Sequence, residues 1–153
     1  MLDIPARELE RHPERLTRAI EAETRFGVGS TFKNRRHHEV MDADWNLSPV
    51  TQQHKDRAWA QLGTSGSGNH FVEFGLFTAH GEVHGLAPGT YLALLSHSGS
   101  RSVGFKIAEA YSKLAMARHP DLDKSIRHLA WLSLDSEEGQ EYWLSMELAG
   151  RFA

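Results

Sequence analysis

Leu9, Leu16 and Ile20 recur near helical spacing within a charged frame, so Pro5 to Glu23 is predicted to form an amphipathic helix, with Pro13 as the point of interruption. Gly27-Val28-Gly29-Ser30 opens a stretch without period that runs to Asn46 and reads as loop. Ser48-Pro49 sets a capping hydroxyl before a proline at the first helical position, and Gly63 follows Leu62 as a stop, which predicts a helix over roughly 49 to 62. Phe71 to Phe77 reads as a strand, and His80 to Gly89 is polar and turn-rich. Tyr91 to Leu95 is an apolar run of buried-strand length. A helix is predicted from about Gly104 to Arg118, with Ile107, Tyr111 and Leu114 on one face. His128 to Leu134 is a third strand candidate. Asp135 with Glu138 resembles a capping box for a helix that continues to Ala153 without a stop signal.

The expected class is therefore α+β, a mixed sheet with flanking helices. No internal repeat and no linker rich in Pro, Gly or Ser interrupts the chain, and 153 residues suit one core. Apolar residues make up 40% and charged residues 24%, which excludes disordered and low-complexity classes. The formal charge of −3 gives no global attraction to a polyanion, so any such ligand must be held locally. Met1 to Arg18 alternates acid and base, and no apolar run reaches the ~18 residues of a membrane span, so a cytoplasmic setting is expected. The absence of cysteine removes thiolate ligands and nucleophiles, leaving His, Asp and Glu for any metal.

Gly63-Thr64-Ser65-Gly66-Ser67-Gly68-Asn69-His70 packs glycines and small polar residues into a helix-to-strand connection. Backbone amides in such a loop can approach an anion, although a mobile surface loop has the same composition. Neither the Walker pattern nor the dinucleotide fingerprint is present. Asn69 and His70 stand at the mouth of the predicted strand with Glu73 three residues on, so an amide, an imidazole and a carboxylate could converge on one ligand. His97 ends its own apolar run, and Ser98-Gly99-Ser100-Arg101 offers hydroxyls, flexible backbone and a guanidinium suited to bidentate phosphate contact. A histidine at a strand end also serves as a structural residue.

Gln61-Leu62-Gly63-Thr64 with Gly68-Asn69-His70-Phe71-Val72-Glu73, and later His97-Ser98-Gly99-Ser100-Arg101, resemble signatures of the RtcB-type RNA ligases. Trp131-Leu132-Ser133-Leu134-Asp135-Ser136-Glu137-Glu138-Gly139-Gln140-Glu141-Tyr142 resembles a third block of that family. The blocks come in the expected order and cover roughly Arg25 to the C-terminus. The resemblance implies a single partial domain over residues 1–153, an incomplete central portion of the RtcB-type fold. It also implies a GTP- and Mn2+-dependent ligase that joins RNA 2′,3′-cyclic phosphate or 3′-phosphate ends to 5′-hydroxyl ends, in tRNA splicing and RNA repair. On that basis His70 and His97 each ligate manganese. Asn69, His70, Phe71, Val72 and Glu73 form the guanylate-binding stretch, and Arg101 with Ser100 holds the RNA phosphate.

The family also places an Asp and a bridging Cys upstream, and a third ligand His, a guanylylated His and a nucleotide-binding Lys downstream. None has a matching position here. Ser65, Ser67 and Ser102 stand where bulkier residues or glycine are usual. The expectation is a truncated chain that does not ligate RNA alone, either a piece of a ligase or a half whose missing ligands a companion chain supplies. Two alternatives remain open. One is a metal-dependent phosphoesterase using Asp42, Asp44 or Glu73 with the two histidines; the other is a non-catalytic RNA-end binder. Arg35, Arg36, His37 and His38 read as a solvated charged loop or a basic edge for RNA.

Overall fold

A computed structural model describes Leu2 and residues 4–153. The helices are α1 (Glu8–Arg11), α2 (Pro13–Glu23), α3 (Pro49–Gln61), α4 (Arg101–Arg118) and α5 (Glu137–Phe152), and the strands are β1 (Phe71–Ala79) and β2 (Gly89–His97). Short 3-10 turns lie at Glu39–Met41 and Arg127–Leu129. The α+β class holds, and the sheet is a single antiparallel pair. The chain divides into two compact units, Met1–Val28 with Thr64–Ser98, and Gly29–Gly63 with Gly99–Ala153.

In the first unit the N-terminal helix breaks where Pro13 cannot continue the hydrogen-bond ladder, leaving one turn, α1, before α2. The strands pair from Phe71↔His97 to Ala79↔Gly89. Their connection is closed by a Val83↔Leu86 bridge and by positive φ at His84 and Gly85. The segment 91–95 has the length of a buried strand, yet only Leu92 is fully enclosed, while Leu94 and Leu95 are about half exposed, at 48% and 54%. A two-stranded ribbon has two faces, and the described residues of this unit do not cover both.

In the second unit Ser48 caps α3 by accepting from the Thr51 amide at 3.2 Å, and the Thr51 hydroxyl receives the Ser48 amide at 3.1 Å. Both side chains are buried, as is Ser145 of α5, whose hydroxyl lies 3.0 Å from that of Ser48. A polar strut therefore runs through an apolar core of Trp45, Val103, Ile107, Leu148 and Phe152. Trp45 donates its indole N–H to the Val40 carbonyl at 3.0 Å and meets Phe152 edge-on. Val103, Ile107, Tyr111 and Ala115, each four residues apart, form the buried stripe of α4.

Three expectations are corrected. The third strand at 128–134 does not form. Arg127–Leu129 is a 3-10 turn, and the following backbone is held locally, by His119 on the Trp131 carbonyl at 3.0 Å and by the Ser136 amide on the Ser133 carbonyl at 3.1 Å. Helix α5 is capped by Ser136, which accepts from the Gly139 amide at 3.1 Å, and not by Asp135. Helix α4 begins at Arg101, a turn before Gly104.

Replacing Ser48 with alanine removes the cap and leaves the Ser145 and Thr51 hydroxyls short of a buried partner. Ser48→Ala is expected to lower unfolding stability by about 1–3 kcal/mol, read as a shift of the urea midpoint with unchanged slope.

Candidate active site

Directly opposed residues of an antiparallel pair share a face, so the register sets Phe71 beside His97, with Glu73 next along the same face. Val72 alternates to the opposite face, opposite Ser96. Phe71 stacks on the His97 ring, with centroids 5.6 Å apart and planes at 24°. His70 immediately precedes β1, and its ring centroid lies 5.7 Å from that of His97. The strand mouth thus brings the two predicted imidazoles together. The Nδ1 atom of His70 is buried and has no hydrogen-bond partner, whereas His97, Asn69 and Glu73 are exposed. A buried ring nitrogen without a partner is costly unless something approaches it.

The loop before His70 is strapped down. The Ser65 amide donates to the Arg25 carbonyl at 2.8 Å, and the Gly27 amide donates to Gly66 at 2.9 Å. Thr64, Ser65 and Gly66 are buried, which removes the mobile surface-loop reading for this part of the run. The Ser65 hydroxyl is buried without a partner.

Arg101 and Ser100 belong to the second unit. Ser100 precedes the first residue of α4 and makes no side-chain cap, and its hydroxyl sits where a Cβ at residue 104 would stand, so Gly104 is what leaves room for it. Arg101 has φ of 52°, in the left-handed region that disfavours a side chain. Partial burial lowers its pKa, and the guanidinium keeps its charge at neutral pH. The N-terminal amides of an 18-residue helix and a guanidinium beside them suit an anion.

Sequence reading assigned no role to Gln61 and Ser102, which join in the second unit. The Ser102 hydroxyl donates to the buried Gln61 side chain at 2.7 Å and accepts from Arg57 at 2.9 Å. These partners are 41 and 45 residues apart, and no local pattern announces them. The loop at 35–38 is structural: Arg35 pairs with Asp56 and stacks over Trp59, Arg36 lies over Phe32, and His38 accepts from the Val40 amide. Asp42 meets His37 at 3.5 Å and Asp44 accepts from the Asn46 amide at 2.8 Å, so both are engaged locally. Among the described residues, no three of His, Cys, Asp and Glu cluster to hold a metal ion.

The paired imidazoles of the first unit and, separately, the arginine heading a helix of the second are donor types of proteins that handle phosphate esters. The chain belongs to the tRNA-splicing ligase RtcB family, whose model matches residues 2–153. It is 35% identical over 111 residues to the tRNA-splicing ligase RtcB of Pyrococcus abyssi, covering 68% of this chain and 12% of that protein. It is 33% identical over 129 residues to that of Aeropyrum pernix, covering 77% of this chain and 26% of that protein. The chain thus spans about an eighth to a quarter of the length of these relatives. No solved structure matches it.

The two small residues of the strapped loop should respond oppositely to alanine. Gly63 has φ of 75°, and a Cβ there would come within 3.2 Å of the Arg36 side chain, so Gly63→Ala is expected to destabilise by about 1–2 kcal/mol. Ser65→Ala removes an unpartnered buried hydroxyl and is expected to be neutral or stabilising by up to about 1 kcal/mol. Thermal unfolding of both variants checks the contrast.

Proposed function

We propose that this chain carries part of the active centre of a GTP- and Mn2+-dependent RNA ligase, joining 2′,3′-cyclic phosphate or 3′-phosphate ends to 5′-hydroxyl ends, in a cytoplasmic setting. Membership of the tRNA-splicing ligase RtcB family sets the reaction class. The observation that carries the reading at residue level is the buried, unpartnered Nδ1 of His70 beside the exposed ring of His97.

Two imidazoles so placed fit a divalent ion as two of its ligands, and manganese accepts nitrogen as well as oxygen donors. Bound there, the ion would polarise phosphoryl oxygens and offset their charge. Phe71 limits rotation of the His97 ring by stacking on it. Glu73 offers a carboxylate to the guanylate on the face that Phe71 and His97 share, and Asn69, next to His70 in the chain, offers an amide. In the second unit Arg101 grips the RNA phosphate through its planar fork, with the Ser100 hydroxyl beside it in sequence. The local engagement of Asp42 and Asp44 leaves the phosphoesterase alternative with Glu73 as its one remaining named carboxylate.

Two imidazoles fall short of the three or more protein ligands that hold a divalent ion tightly, and a guanylylated intermediate needs a nucleophile that no residue here matches. The groups that complete the site come from outside these 153 residues, with a companion chain as one source. Manganese paramagnetic resonance titration should accordingly show weak uptake, reduced about tenfold or more in His70→Ala and in His97→Ala. Uptake indifferent to both substitutions would remove the metal role. Incubated with GTP, Mn2+ and RNA ends, the purified chain should give no multiple-turnover joining; joined product would show that these residues suffice.

A further inference from the structure

Opposite its buried stripe, α4 carries Phe105, which is 63% exposed, and Lys106, whose ammonium lies 5.4 Å from the Phe105 ring centroid. Lys106 also meets Glu109 at 2.8 Å, and Glu109 takes Lys113 at 2.9 Å, so two cations share one carboxylate. On α3, Arg57 donates to the neutral Ser102 hydroxyl at 2.9 Å and forms no ion pair with a carboxylate among the described residues. His54, three residues before Arg57, has its pKa lowered first by partial burial and then by the charges of Lys106 and Arg57, so cations from both helices stand near its ring. In a chain of formal charge −3, this face of the second unit gathers Arg57, Lys106 and Lys113, of which Lys106 and Lys113 share the carboxylate of Glu109. Phe105 follows Arg101 by one helical turn, and Lys106 stands about 7.5 Å beyond Arg101 along the axis, at ~1.5 Å per residue.

We infer that the outer face of α3 and the first turns of α4 form a track for single-stranded RNA, in which Arg57 and Lys106 meet backbone phosphates and Phe105 stacks on a base. An exposed aromatic ring flanked by cations is the combination that binds single strands without reading sequence, since every base has a stackable face and every nucleotide a phosphate. Ser102 orients the Arg57 guanidinium by accepting from its Nε, which leaves the terminal nitrogens for a ligand. The inference rests on the ligase reading: it gives a path to the strand whose terminal phosphate Arg101 would hold.

Fluorescence anisotropy of a labelled oligouridine ending in a 3′-phosphate, across a salt series with the full chain, tests it. The unaltered chain should bind with an affinity that falls as salt rises. The double variant Arg57→Ala/Lys106→Ala should lower the log–log salt slope by about 1.4, at ~0.7 per phosphate contact on a single strand. Phe105→Ala should weaken binding about tenfold with the slope unchanged. All three positions are on helix exteriors, and Arg57→Gln/Lys106→Gln provides a second pair that retains the side-chain stems. Unchanged affinity and slope in these variants, with binding lost in Arg101→Ala, would overturn the track while the ligase reading stood. A reduced slope with Phe105→Ala neutral, and equal competition by a duplex, would make the face a general polyanion surface and overturn the single-strand assignment. No binding by the unaltered chain at low salt would also overturn the track, whereas the manganese titration of His70 and His97 decides the ligase reading separately.

Discussion

A slip of one residue between β1 and β2 would turn His97 to the opposite face of the hairpin, because side chains alternate with a period of two. The juxtaposition of His97 with Phe71, and through it with His70, depends on that register. Several features hold it. Leu92 is fully buried, its carbonyl receives the Leu2 amide at 3.2 Å, and Thr78 and Thr90 lie opposite each other with hydroxyls 3.4 Å apart. At the same end, Tyr91 donates to the Ala87 carbonyl at 2.7 Å and fixes the entry to β2. A two-stranded ribbon is marginal by itself. The register is maintained because slipping it would expose Leu92 and break these bonds together.

The second unit has a different constraint, the hydroxyl strut of Ser48, Thr51 and Ser145 inside an otherwise apolar core. Burying three hydroxyls is tolerable only if each finds a partner, and here each does: the Thr51 hydroxyl donates to the Trp45 carbonyl at 2.8 Å, and the serines meet at 3.0 Å. Tyr111 adds a contact to Glu141 at 3.1 Å, and burial raises its pKa. Because these groups come from α3, α4 and α5, the polar pairs specify how three helices meet, which apolar contacts alone do weakly. The start of α4, and hence Arg101, is positioned by that packing.

What could be read from sequence follows the range of each interaction. The Ser48-Pro49 start, the Pro13 break and both strands were legible because caps, proline and alternation act within a few residues. The segment 128–134 was misread because a short apolar run does not reveal whether a neighbouring strand exists to receive it; His119 and Ser136 supplied local partners instead. In the candidate site, His70, His97 and Arg101 stood out by residue type and by their neighbours in the chain. The Ser102–Gln61–Arg57 chain did not, since it joins residues more than forty apart. Nor did the strap between Ser65 and Arg25, which uses backbone atoms that any residue carries.

Arg101 shows why strain at one residue bears on function. A non-glycine residue in the left-handed region costs about 1–2 kcal/mol, and glycine at that position would avoid the cost. Backbone strain is retained where surrounding structure enforces it, and it concentrates at functional sites. Here Ser100 sits over Gly104 with no room for a Cβ, and Val103 is buried two residues after Arg101, so the chain enters α4 along a constrained path. Glycine at residue 101 would relax the backbone but remove the only guanidinium in the Ser98-Gly99-Ser100-Arg101 run. On the proposed reading, the strain at Arg101 is retained for the phosphate its side chain would hold and not for the stability of the turn that carries it.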